Sequence, residues 1–169
     1  MNKKIRNRGV SAVIGTVLMI ALVILIIGVV WVSINSLIGE QIEGSEACFG
    51  NFGKVELDKR YTCHNSSSNE FQFSISVGDI VVDSMLVSVS SESGTKSFEI
   101  SNTAMNNVRM YSQATYGGVV TVPGENSGFT YVTNITGIGI GTPDSVSVAP
   151  IINENQCSVS DTVLEINIC

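Results

Sequence analysis

The apolar and polar positions divide the chain into two parts with different periodicity. No residue between Arg8 and Glu40 carries a charge, and the run from Val10 to Ile38 is apolar on every helix face up to Trp31. At 1.5 Å per residue this run would form a helix of about 43 Å, longer than the bilayer core of about 30 Å. The pattern therefore predicts a helix that is surrounded by lipid or by other apolar helices.

After Ile38 short apolar stretches alternate with turn residues. Glycines within residues 39–50 indicate a neck. The clearest strand pattern is Glu70–Val77, where alternate residues are apolar. The other predicted strands are Lys54–Cys63, Ile80–Ser90, Thr95–Ile100, Val108–Thr115, Gly118–Val122, Phe129–Ile135, Ser145–Ile151 and Thr162–Ile168. The whole pattern predicts an α+β chain, with a long N-terminal hydrophobic helix followed by an antiparallel, immunoglobulin-like β-sandwich head over residues 51–169.

The distribution of charged residues predicts how the chain is oriented across the membrane. Four of the nine basic residues lie in the first eight positions, and residues 10–169 carry 5 basic and 15 acidic side chains. Because basic flanks stay in the cytoplasm, the pattern predicts a cytoplasmic N-terminus and a head outside the cell. A head this acidic also has no surface suited to phosphate neutralisation, which argues against a nucleic-acid partner.

The four cysteines all fall outside the apolar run, at Cys48, Cys63, Cys157 and Cys169. An even number of cysteines in an exported chain predicts two disulfides. Three connectivities are possible, and the closure of short local loops favours Cys48 with Cys63 and Cys157 with Cys169. The sequence predicts no metal site of the zinc type, because it contains no CxxC motif and a single histidine, His64.

No set of residues in the sequence converges on catalysis or on a cofactor. A catalytic triad would depend on His64, which we interpret as an exposed loop residue. The Gly137–Gly141 segment, GIGIG, lacks the spacing of a phosphate-binding loop and is interpreted as a flexible edge or turn. A calcium site at a loop such as Glu125–Asn126 or Asp144 stays open beside the interpretation that these acids are solvated. The chain is therefore predicted not to be an enzyme.

Two asparagines match the glycosylation pattern, Asn65 in NSS and Asn134 in NIT. The richness of the head in Ser, Thr and Asn, and its paucity of Lys, suit a glycan-bearing exterior. Both residues are therefore candidate glycosylation sites of an exported protein.

The junction between the basic leader and the apolar run carries a family resemblance. The stretch RGVSAVIG, residues 8–15, followed by TVLMIALVILIIGVV, resembles the N-terminal segment of archaeal type IV pilins, which share their leader type with archaellins. The resemblance covers about the first 40 residues. It implies that a membrane-embedded prepilin peptidase cleaves between Gly9 and Val10, and that the apolar run is kept. The leader, residues 1–9, would then be removed, and residues 10–38 would become the transmembrane and filament-core helix.

One position departs from the related bacterial pattern. Bacterial type IV pilins carry a glutamate at the fifth mature position, where this chain has Ile14. Many archaeal pilins also lack this glutamate. The departure therefore favours an archaeal type of pilin and removes one contact that could register neighbouring subunits.

The resemblance implies a structural subunit of an extracellular pilus-like filament, used for adhesion or surface attachment. Such a subunit would first lie in the cell membrane and then form a homopolymer through its N-terminal helices, with the help of pilus assembly machinery. Small residues allow helices to approach closely, so Ser11, Gly15 and Gly28 are predicted to be helix-packing positions. The alternative is a surface binding protein that is anchored by a single membrane pass and does not polymerise.

Overall fold

The computed structural model describes the backbone of residues 8–169 and the side chains of residues 13–35 and 48–169. The chain divides into two compact units, Met1–Glu43 and Gly44–Cys169. A long helix, α1 (Arg8–Cys48), is followed by a β-rich head. The helix continues past the predicted end at Ile38, and the residues expected to begin a neck are helical. Glutamate, glutamine and alanine in this stretch favour helix, and each interior glycine costs only about 1 kcal/mol.

The head consists of short strands with one helical turn and one 3₁₀ turn. The strands are β1 (Val55–Leu57), β2 (Cys63–Asn65), β3 (Glu70–Val77), β4 (Ser84–Ser91), β5 (Gly94–Ile100), β6 (Thr103–Ala104), β7 (Val108–Met110), β8 (Val119–Val120), β9 (Ser127–Asn134), β10 (Pro143–Ile152), β11 (Asn155–Gln156), β12 (Asp161–Leu164) and β13 (Asn167–Ile168). The helical turn is α2 (Ile135–Ile138), and the 3₁₀ turn is Lys59–Tyr61.

Two antiparallel sheets form the body of the head. In the first sheet, β1 and β2 pair with one edge of β3, β3 pairs with β9, and β9 pairs with β7, while β13 adds to β2 in parallel. In the second sheet, β11 and β12 pair with one edge of β10, β10 pairs with β4, and β4 pairs with β5. When the strands are lettered in chain order, their spatial orders across the two sheets are A-B-E-D and G-F-C-C′, as in an immunoglobulin-type sandwich. The predicted α+β class with an antiparallel, immunoglobulin-like head is confirmed.

The core of the head lies between the inner faces of the two sheets. In β3 every second residue is buried, as the alternating sequence predicts. Phe73 is fully buried and stacks on Phe71 and Tyr131, each with ring centroids 5.5 Å apart. Val87 and Val89 of β4 are buried in the same cluster. The head therefore contains a continuous apolar core of its own.

Local hydrogen bonds shorten two of the predicted strands. The predicted strand Lys54–Cys63 is interrupted by the 3₁₀ turn, because the Asp58 carboxylate accepts a hydrogen bond from the Arg60 backbone N–H at 2.9 Å. The predicted strand Val108–Thr115 ends at Met110, whose backbone N–H donates to Gln113 Oε1 at 3.2 Å. Polar side chains that bind backbone N–H groups therefore end strands that the apolar pattern alone would continue.

The glycine-rich segment after β9, predicted to be a flexible edge or turn, begins as a helical turn. Asn134 caps α2 by accepting a hydrogen bond from the Gly137 N–H, and Gly139 ends it with a φ of 73°. Glycine adopts this left-handed conformation without steric cost. The segment thus forms a capped helical turn that leads into β10.

Candidate functional site

The apolar surface of α1 is the most extended candidate site. Every side chain from Val13 to Asn35 is exposed, and this stretch is long and apolar enough to cross a membrane. Its hydroxyl groups are satisfied within the helix: Thr16 Oγ1 donates to the Val13 carbonyl at 2.9 Å, and Ser33 Oγ donates to the Val29 carbonyl at 3.0 Å. The surface can therefore enter lipid, or pack against other helices, without leaving either hydroxyl unpaired.

A shallow apolar groove on this surface is centred on Gly28. It is lined by Ile24, Leu25, Gly28, Val29, Val32 and Ser33. A Cβ atom added at Gly15 or at Gly28 would meet no atom within 4 Å. No contact within the described chain therefore requires glycine at these two positions, so the space is available to a second helix. Ser11, like the predicted cleavage residues Gly9 and Val10, lies outside the residues whose side chains are described.

Both disulfides are long-range. Cys48 pairs with Cys157 at a Cα–Cα distance of 5.4 Å, and Cys63 pairs with Cys169 at 5.1 Å. The prediction of two disulfides is confirmed, and the favoured local pairing is wrong. The reason is the parallel pairing of β13 with β2, which leads residue 169 along β2: the Cys169 N–H donates to the His64 carbonyl at 3.1 Å, next to Cys63. Short loops are easier to close in an unfolded chain, but strand pairing decides which sulfur atoms meet in the folded one.

The Cys48–Cys157 disulfide has a distinctive position. Cys48 is the last residue of α1, and Cys157 directly follows β11. The end of the helix is thus covalently joined to the second sheet through the segment that connects β11 to β12. A force applied along α1 would reach the core through this bond as well as through the main chain.

The two glycosylation candidates differ in exposure. Asn65 is exposed at the end of β2, and its Oδ1 accepts hydrogen bonds from the backbone N–H groups of Ser67 and Ser68 at 3.0 and 3.3 Å. Asn134 is half-buried, and its Oδ1 caps α2. Asn65 is therefore the more accessible acceptor, held in a defined turn conformation.

A polar cluster that the sequence analysis missed lies on the outer face of the first sheet. Glu70 Oε1 accepts hydrogen bonds from Arg109 Nη2 at 3.1 Å and from the Tyr116 hydroxyl at 2.8 Å. The Arg109 guanidinium also lies 5.4 Å from the centre of the Tyr116 ring. These contacts tie the segment after β7 to β3. The only sequence signal was Arg109 itself, one of few basic residues in a head rich in acids.

The cluster changes the protonation of its members. Partial burial alone would raise the pKa of Glu70, but the hydrogen bonds from Tyr116 and Arg109 outweigh it and hold this pKa below its usual value. Burial first, and then the hydrogen bond to Glu70, raise the pKa of Tyr116 to about 12. The carboxylate and the guanidinium are thus both charged at neutral pH, as a structural ion pair requires.

The structure corrects the interpretation of His64 as an exposed loop residue. His64 lies on β2 opposite Phe71 and is only 6% exposed. Its Nε2 atom has no hydrogen-bond partner among the described residues. The described residues contain no group of three or more His, Cys, Asp or Glu side chains that could hold a metal ion. Asp144 shares an open pocket with one other carboxylate, that of Glu92.

The N-terminal segment matches a known protein family. Residues 8–44 match the family model described as archaeal type IV pilin, N-terminal. The matched segment contains the predicted cleavage junction and the whole exposed stretch of α1, which confirms the resemblance seen in the sequence. Searches of curated proteins and of solved structures gave no match for the chain.

Proposed function

Because residues 8–44 match the family model of the archaeal type IV pilin N-terminal segment, we propose that this chain is a structural subunit of an extracellular pilus-like filament. The observation that carries the proposal is the stretch Val13–Asn35, 23 residues within the matched segment whose apolar side chains are exposed among the residues that the structure describes. Water is a poor solvent for such a surface. Lipid before assembly and neighbouring helices after assembly supply the two environments it needs.

Cleavage of the leader would precede the transfer of the helix from lipid to the filament. A prepilin peptidase would cleave between Gly9 and Val10 and remove the basic leader, residues 1–9, whose charges hold the N-terminus on the cytoplasmic side. The freed helix satisfies its backbone hydrogen bonds internally, so it can leave lipid for a helix bundle without exposing polar groups. The bundle then replaces contacts with acyl chains by contacts between helices of the homopolymer.

The head supplies the outer surface of the filament, for adhesion or surface attachment. Two disulfides suit an oxidising exterior, where such bonds persist. The bond at Cys48 gives the filament a covalent route for tension between the helix and the core of the head. Among the two asparagine candidates, we expect Asn65 to carry a glycan more fully than Asn134, because Asn65 is exposed.

The alternative function is that of a monomeric surface binding protein with a single membrane anchor. The same exposed stretch of α1 would serve as a permanent anchor, and the head would act alone. This alternative needs no cleavage and no groove at Gly28. Both differences can be measured.

The mature N-terminus tests the proposal directly. Filaments sheared from cells should contain this chain beginning at Val10, as read by mass spectrometry of the intact subunit. Cells that lack the chain should lose these filaments in electron micrographs. A chain that keeps Met1 and is recovered only from membranes would support the anchor instead.

Substitutions at Gly28 test whether helices pack against this groove inside the filament. Gly28→Leu places a larger side chain in the groove, starting from a Cβ position that meets no other side chain within 4 Å, and leucine favours helix. We expect a processed, membrane-inserted subunit that assembles poorly. Gly28→Ala is the matched control, because it also favours helix but stays small. Equal filament yields from the two variants would argue against a close helix contact at this position.

A further inference from the structure

Two aromatic side chains directly follow α1 and are almost uncovered. Phe49 is 90% exposed, more than any other large apolar side chain of the described residues, and Phe52 is 76% exposed. Both are separated from the apolar core of the head, to which neither contributes. Large exposed apolar surface commonly marks an interaction site, and these two rings are three residues apart in one short loop.

The loop that carries these rings is held in place. Gly50 and Gly53 adopt left-handed conformations, with φ of 85° and 72°, that other residues rarely adopt. The Asn51 N–H donates to the Cys48 carbonyl at 3.3 Å, and the Lys54 N–H donates to the Asn51 carbonyl at 3.2 Å. The Cys48–Cys157 disulfide fixes the start of the loop to the head. The rings are therefore presented by a structured loop at defined positions.

We propose that Phe49 and Phe52, here called the aromatic pair, pack against a neighbouring copy of this chain in the filament. The inference rests on the proposed function. The pilin match ends at residue 44, and α1 ends at Cys48, so the aromatic pair directly continues the segment through which subunits would associate. Helices that pack side by side lie about 8–10 Å apart. A ring at the end of one helix then lies within reach of the chain next to it.

Charge also favours a second copy as the occupant. Residues 44–169 carry 13 acidic and 5 basic side chains, so most surfaces of two neighbouring heads repel each other. The loop from Cys48 to Gly53 carries no charge. An uncharged apolar contact is one that two acidic heads can make without like-charge repulsion.

A lipid surface is a less suitable occupant. Peripheral binding to lipid usually combines apolar side chains with basic ones that attract anionic headgroups. Lys54, the nearest cation in sequence, forms an ion pair with Asp79 at 2.6 Å. The cation nearest to the aromatic pair in sequence is therefore already paired, and contact with lipid becomes an outcome that the experiment can detect.

Photo-crosslinking identifies the occupant. The full chain, expressed in cells without their own copy, receives p-benzoylphenylalanine at position 49, and sheared filaments are illuminated. We expect adducts of two chains at twice the subunit mass. The same group placed at Tyr111, which is 64% exposed and lies outside the loop, is the control and should give far fewer adducts. Adducts with lipid, or within one chain only, would overturn the proposal.

A second measurement uses substitution. The double variant Phe49→Ser, Phe52→Ser should be cleaved before Val10 and form both disulfides, yet yield at least about tenfold less filament, as loss of a central aromatic contact can do. Tyr111→Ser should assemble like the unmodified chain. Unchanged filament yield in the double variant would overturn the inference alone. Absence of the unmodified chain from sheared filaments would overturn the proposed function, and this inference with it.

Discussion

The N-terminal helix and the head treat apolar side chains in opposite ways. From Val13 to Asn35 the helix exposes all of its side chains, whereas the head buries apolar residues of both sheets in one continuous cluster. A helix satisfies its own backbone, so it can exist without a core and take whatever apolar surroundings it meets. A sheet must cover one face with another layer. The head is therefore complete as a single chain, and the helix is completed by its surroundings.

The helix and the head can be followed separately by spectroscopy in the same protein. Trp31, the only tryptophan, lies in the helix, and all four tyrosines lie in the head. Tryptophan fluorescence in detergent micelles thus reports on the helix, and near-ultraviolet tyrosine signals report on the head. Each of the following changes should move one signal and leave the other unchanged.

Removal of a disulfide should have the largest effect. Replacing Cys63 and Cys169 together by serine opens a bond across a sequence separation of 106 residues. The chain-entropy model predicts a loss of about 4–5 kcal/mol in the free energy of unfolding of the head. Denaturant titration in micelles, followed by the tyrosine signal, measures this loss. A parallel shift of the Trp31 signal would contradict the separation of the two regions.

Removal of a core ring should have an effect of similar or smaller size. Phe73→Ala deletes the side chain that stacks on Phe71 and Tyr131, and should cost about 3–5 kcal/mol. Tyr111→Ala, at an exposed position, should cost no more than about 0.5 kcal/mol. Leu22→Ala in the helix should leave the unfolding of the head unchanged. A clear effect of Leu22→Ala on the tyrosine transition would show that the helix supports the head.

The Glu70 cluster should contribute a pH-dependent stability to the head alone. Its contacts hold the pKa of Glu70 below the unfolded value, so their contribution is present above the unfolded pKa and is lost as pH falls through the folded pKa. Glu70→Gln should cost about 1 kcal/mol at pH 7. The difference between the variant and the unmodified head should vanish in acid. A difference that persists unchanged at low pH would show that packing, and not charge, is responsible.

One turn of the head should be improved by substitution. Asn153 and Glu154 connect β10 to β11 with φ of 50° and 63°. This pair of positive φ values is typical of a hairpin turn that favours Asn-Gly. Glu154→Gly should therefore stabilise the head by about 0.5–1 kcal/mol, measured by the same titration. Asn153→Gly is the control and should change little, because asparagine tolerates this conformation. Destabilisation by Glu154→Gly would argue against strain in the turn.

Periodicity explains how much of the head could be predicted. The bounds of β3 were predicted correctly because its alternate residues face the core and the solvent in turn. Strands ended by side-chain hydrogen bonds were predicted too long, as at Asp58 and Met110. The Glu70 cluster joins residues 39 and 46 positions apart, and no local pattern marks such contacts. The same limit applies to the aromatic pair, whose exposure depends on the path of the chain after α1.

The sequence by itself determined the exposed helix, the class of the N-terminal segment, the presence of an alternating β-rich head and the number of cysteines available for pairing. These properties depend on local composition and period, which a chain carries wherever it folds. Only the tertiary structure decided which cysteines pair, that His64 is buried, and that Glu70, Arg109 and Tyr116 meet. Those outcomes follow from strand order and register, because residues far apart in the chain become neighbours only when the two sheets assemble.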